Sequence, residues 1–175
     1  TNGYQVDIRA GAGDDHIKLG DGFHMVDAGP GNDTVIGGSG TNLIAGGEGD
    51  DIIKAGPGNN RLLGGPGNDT REAGNGDNAV WGNDGDDKIK LGNGDNRIWT
   101  GNGRAFVKLG NGSSTLIAAS PQIYDLKICL GTGKNTIWAG WSDKSHCSAN
   151  RPNTNFGDNS CRQDLTDSDC TDEKY

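Results

Sequence analysis

Aliphatic residues recur along this 175-residue chain at a fixed interval of nine. From Gly11 to Ala118 the sequence divides into twelve consecutive nonapeptides, GAGDDHIKL first and GNGSSTLIA last. Their seventh positions are Ile17, Val26, Val35, Ile44, Ile53, Leu62, Arg71, Val80, Ile89, Ile98, Val107 and Leu116. Eleven of these twelve are Ile, Val or Leu, which suits a buried strand position, and alternation along a strand then sends positions six and eight outward. The first half of each unit is polar, with Gly recurring at positions one and three to supply a turn. Short strands and tight turns at one fixed period predict a β-solenoid. Arg71 interrupts the apolar column. A buried Arg without a partner is costly, so its position predicts a local bulge, an ion pair with a carboxylate such as Glu72, or an open edge in the core.

The period reaches beyond these twelve units. Ile8 stands nine residues before Ile17, so residues 2–10 read as an incomplete first half-coil. Residues 119–121 interrupt the period, which resumes over 122–139 as QIYDLKICL and GTGKNTIWA, with Ile128 and Ile137 at the buried position and Cys129 outward. From residue 140 to 175 no repeat is visible, and the Pro, Asn, Ser and Asp content predicts an irregular cap over the open end of the solenoid.

Composition alone points elsewhere. Hydrophobic residues make up 31% and aromatics 6%, with 32 Gly, too little apolar matter for an ordinary two-layer globule. A solenoid needs only a thin buried file, so the period resolves the conflict. The net charge of -8 disfavours nucleic acid and anionic lipid as partners and suits cations. No apolar run approaches the roughly 18 residues of a membrane span. No signal peptide opens the sequence, which reads as a mature form or a fragment. The four cysteines, Cys129, Cys147, Cys161 and Cys170, lie in the last third without a C-x-x-C pair, and His146 is the one histidine near them. That favours two disulfides and an oxidising, extracellular compartment over a zinc site.

With the residue before each unit included, many turns read GGxGxD ahead of a short strand, as in Gly64-Gly65-Pro66-Gly67-Asn68-Asp69. This resembles the RTX, or hemolysin-type, calcium-binding repeat, over about residues 2–139. The resemblance implies an all-β fold: a right-handed parallel β-roll of two sheets with 18 residues per coil, successive turns on opposite edges, and calcium held between stacked turns by carbonyls and Asp carboxylates. It also implies secretion, although bacterial members exported by the type I route are usually cysteine-poor, unlike this tail.

Position five carries more than the family pattern. It reads Asp15, His24, Asp33, Asn42, Asp51, Asn60, Asp69, Asn78, Asp87 and Asn96, then Ala105 and Ser114. Asp and Asn alternate with a period of one coil, so one edge is a file of Asp15, Asp33, Asp51, Asp69 and Asp87. The other is a file of Asn42, Asn60, Asn78 and Asn96. Carboxylates stacked about 4.8 Å apart repel unless a cation lies between them, which predicts four or more Ca²⁺ along the Asp edge. Amides both donate and accept, so a metal-free ladder is favoured on the Asn edge over weaker calcium sites.

The outer faces differ as well. One sheet presents a solvated, Lys-bearing surface. The other carries a column of Leu63, Trp81, Trp99, Ile117 and Trp138 beside Arg61 and Arg97. An apolar column on an open sheet calls for a partner: an acidic polysaccharide bound by Trp81, Trp99, Trp138, Arg61 and Arg97, the tail or an adjoining domain, or a second copy. No catalytic motif is present, and an ice-binding surface would need Thr columns, whereas Thr34 and Thr70 alternate with Ile52 and Lys88. The sequence thus predicts a secreted, non-enzymatic module that folds on binding calcium, with polysaccharide binding as the alternative and an ice-binding or adhesin segment third.

Overall fold

The nine-residue period sends successive strands to two different sheets. The computed structural model describes residues 4–118, 123–139, 147–149, 155–156 and Cys170. The first sheet is formed by β1 (Tyr4–Arg9), β3 (Gly22–Pro30), β5 (Asn42–Glu48), β7 (Arg61–Pro66), β9 (Ala79–Asp84), β11 (Arg97–Trp99), β13 (Thr115–Ala118), β15 (Thr136–Ala139) and β17 (Asn155–Phe156), in that spatial order. The second runs β2 (His16–Lys18), β4 (Thr34–Ile36), β6 (Ile52–Ala55), β8 (Thr70–Ala73), β10 (Asp87–Leu91), β12 (Gly103–Leu109), β14 (Ile123–Cys129) and β16 (Cys147–Ala149). All pairs are parallel, and each strand lies on the one a full coil earlier, as Ile44 on Val26 and Ile53 on Val35. This is the expected two-sheet parallel β-roll with 18 residues per coil.

The apolar column is the core. Val35, Ile44, Ile53, Leu62, Val80, Ile89, Ile98, Val107, Leu116, Ile128 and Ile137 are fully buried, with Ala or Leu at many ninth positions beside them. Each such side chain is worth about 1.5–3 kcal/mol on removal from water, so one residue per nine suffices where every coil covers its neighbours. Glycine is required where coils approach most closely. Gly47, at φ 127°, lies so near the carbonyl of Gly29 that a Cβ would overlap it.

The three-residue insertion is absorbed without loss of the column. Thr115 pairs with Thr136 and Leu116 with Ile137, an offset of 21, and the register shifts between Gly103 and Arg104 where β12 meets β14. Strands also continue past the expected end of the repeat, because β16 pairs with β14 and β17 with β15. The loop-like reading of the tail is therefore corrected at 147–149 and 155–156, where segments of two or three residues carry no legible period. A disulfide joins Cys129 to Cys170, and the bridge is buried with Phe106 on the outer face of β12 and β14. Cys129 points away from the core, as expected, yet is covered rather than solvated. The backbone of Cys147 lies in β16, whereas Cys161 and most of the expected cap lie outside the described residues.

Candidate metal-binding edge

Position five of each unit turns inward at the end of a turn, and the two edges satisfy it differently. On the Asn edge the Oδ1 of Asn60 accepts from the backbone N–H of Asn42 (3.0 Å) and from its Nδ2 (3.0 Å). Asn60 and Asn78 repeat both bonds with Asn78 and Asn96. Each Nδ2 also donates to turn carbonyls of its own coil: for Asn60 these are Gly56 O at 3.1 Å and Gly58 O at 2.9 Å. The metal-free amide ladder expected from the sequence is therefore present. It is longer than the sequence reading allowed. Ser114 and Asn135 continue it beyond Asn96, whereas its other end is Asn42, because the backbone N–H of His24 one coil earlier donates to Thr41 O rather than to Asn42 Oδ1 and the His24 Nε2 meets Gly20 O at 2.9 Å.

The Asp edge keeps half of this scheme. Asp33, Asp51, Asp69 and Asp87 accept at Oδ1 from the backbone N–H of the preceding Asp, at 2.7–3.2 Å. Asp33, Asp51, Asp69 and Asp87 are buried, and the Oδ2 atoms of all five Asp residues are buried without a hydrogen-bond partner. The Oδ2 takes the place that Nδ2 takes on the other edge. A group that donated to turn carbonyls is replaced there by one that can only accept. For Asp51 the equivalent carbonyls are those of Gly47 and Gly49. Stacked carboxylate and carbonyl oxygens without donors are what a hard cation requires, so the residues fit calcium. Among the described residues no three His, Cys, Asp or Glu side chains cluster as a metal group; here each Asp would hold a cation together with the carbonyls of its own turn.

Electrostatics carries the same signature. Burial pushes the Asp51 carboxyl above its ordinary value, Asp69 up to about 6 and Asp87 up to about 7, against the opposing pull of Arg71. The exposed position four on this edge behaves otherwise. There Asp14, Asn32, Asp50, Asn68 and Asp86 alternate, each accepting at Oδ1 from the N–H one coil later, so no two carboxylates are direct neighbours. On this edge carboxylates stack without interruption only at the buried position.

Arg71 is fully buried, and its partners differ from the expected Glu72. Position eight points outward, so Glu72 faces solvent and lies 3.9 Å from Lys54 Nζ. The Arg71 guanidinium instead pairs with Asp69 (3.6 Å) and Asp87, and its Nη1 donates to Trp81 O (2.8 Å) and Gly82 O (3.0 Å). Gly64 leaves the space, since a Cβ there would overlap both the guanidinium and Asp69 Oδ2.

On the first sheet, Trp81 and Trp99 stack with centroids 4.7 Å apart and planes within 2°. Their faces are turned to each other, while Trp138 is 54% exposed. Arg61 and Arg97 are exposed in a groove with Phe23, Leu43, Asp77 and Asp95, so the basic groups there have acidic neighbours.

The profile of the RTX calcium-binding nonapeptide repeat matches the chain in four copies, at residues 7–35, 25–53, 36–70 and 72–107. Between residues 7 and 107 only Arg71 falls outside a matched copy. No curated protein and no solved structure matches the chain.

Proposed function

The chain belongs to the RTX calcium-binding nonapeptide repeat family, and from that premise we propose that it is an extracellular, non-catalytic module whose Asp edge makes folding depend on calcium. The carrying observation is the contrast between Asn60, Asn78 and Asn96, whose amides both donate and accept, and an Asp file whose Oδ2 atoms accept no hydrogen bond, with Asp69 alone reached there by a cation, Arg71. Bound calcium supplies the positive charge that stacked carboxylates lack. Asp15, Asp33 and Asp51 would hold it together with carbonyls of the glycine turns. A ligand that binds the folded state alone stabilises it by about 2.7 kcal/mol per site at a free concentration a hundredfold above Kd. Where calcium is scarce the Asp file repels itself and the coils separate; in a calcium-rich medium they close. The Cys129–Cys170 bridge supports an oxidising compartment, and no helix among the described residues is long and apolar enough to cross a membrane.

Far-UV circular dichroism tests this. Millimolar calcium is expected to convert a largely coil spectrum to β, and chelator to reverse it, in both disulfide-bonded and reduced protein. An ordered spectrum unchanged by chelator in the reduced chain would sink the proposal.

A further inference from the structure

Arg71 is the one cation carried by the buried column, and it lies between two consecutive members of the Asp file. We propose that the Asp69–Asp87 interval holds no calcium because the Arg71 guanidinium is its resident cation, so metal is confined to the intervals from Asp15 to Asp69. This rests on the calcium reading of the Asp edge.

Three observations carry it. The guanidinium pairs with both carboxylates that border the interval, Asp69 at 3.6 Å and Asp87 more closely. It also donates to the carbonyls of Trp81 and Gly82, main-chain oxygens at the start of the turn leading to Asp87, which anchors the guanidinium at this turn. And the space is made for it: Gly64 lacks the Cβ that would collide with Nη1, and Arg71 is fully buried, so its charge is compensated by these protein groups rather than by water. A calcium ion entering this interval would meet a fixed positive charge in a desolvated site, with both carboxylates already paired to it. The other intervals have no such group, since position seven is Ile17, Val35, Ile53 and Ile89 in the remaining coils of this edge. The fourth interval is therefore closed by the chain itself, independent of calcium.

The experiment compares bound calcium per chain, measured by equilibrium dialysis with elemental analysis, in the wild type, R71V, D87N and D33N. R71V restores the aliphatic residue of the column and opens the interval, so it is expected to bind one more ion than the wild type. D87N, which borders only the Arg-filled interval and the Ala105 end, is expected to leave the count unchanged. D33N borders two open intervals and is expected to lower it. Equal counts in wild type and R71V, or a lower count in D87N, overturn this inference while leaving the calcium edge intact. Should R71V fail to fold, the D87N and D33N counts decide alone. A wild-type chain that binds no calcium overturns the calcium reading and this inference with it.

Discussion

The two edges of the roll share one backbone geometry and differ at one atom per coil. Where Asn60 places Nδ2, Asp51 and Asp69 place Oδ2, and that exchange turns a self-sufficient ladder into a row of orphaned acceptors. The turns, their register and the N–H to Oδ1 bond between coils are otherwise the same. Metal dependence in this fold is therefore set by donor supply rather than by turn shape. An edge whose side chains bring their own N–H groups closes alone; one whose side chains bring only oxygens waits for a cation.

Exchanging the atoms between the edges gives the largest effect. N60D/N78D puts two carboxylates into the ladder and is expected to destabilise the calcium-loaded roll by about 3–5 kcal/mol, the usual cost of an uncompensated buried charge. The reciprocal D33N/D51N supplies donors and is expected to hold β structure in chelator where the wild type loses it. Urea titration in millimolar calcium checks the first variant against wild type, and far-UV circular dichroism with urea titration in chelator the second against N60D/N78D. Equal midpoints would show that the edges do not differ as described.

A proton can substitute for the exchange, with a smaller effect. The carboxyls of Asp51, Asp69 and Asp87 are raised above the unfolded value of 3.8, so each contributes stability that is full below about 3.8 and is lost as pH rises through its folded value, about 6 for Asp69 and about 7 for Asp87. In chelator the chain should thus hold more β structure at pH 5 than at pH 8, read by far-UV circular dichroism. Calcium affinity should move the other way, because protons occupy the same oxygens. D51N/D87N, which removes two of the three raised groups, should flatten this pH profile. A profile independent of pH in both chains would contradict the burial of these groups.

The smallest effect concerns the outer face. Trp81 and Trp99 stack on each other beyond both edges, and W99A is expected to lower stability by about 1 kcal/mol equally with and without calcium. A calcium-dependent loss would couple this face to the Asp edge. Retention of W138A on an anionic polysaccharide, compared with wild type, tests sugar binding at the Trp that is most exposed.

Most of this architecture was legible because a solenoid repeats its physics. A period of nine with Ile, Val or Leu at position seven gave the core, and Asp alternating with Asn gave the two edges. What escaped was what broke the pattern. Ser114 and Asn135 extend the ladder although neither sits in an unbroken run of Asn, and their shared place could be found only by carrying the register across the three-residue insertion. Arg71 was recognised as an exception but given the wrong carboxylate. Glu72 is adjacent in sequence, yet strand alternation turns it outward, and the same rule already placed Asp69 on the inner side. The added strands β16 and β17 are too short to carry any period.

The alternation of Asp and Asn also fixes the unit by which such a chain can lengthen or shrink. Duplicating a single nonapeptide would change the parity of everything downstream: every later Asp turn would fall beneath an Asn turn, and each ladder would continue into a row of carboxylates. Duplicating 18 residues leaves both files continuous. Viable length variants of this molecule are therefore expected to differ by whole coils, and the heritable module is the pair of repeats rather than the repeat that the eye first picks out.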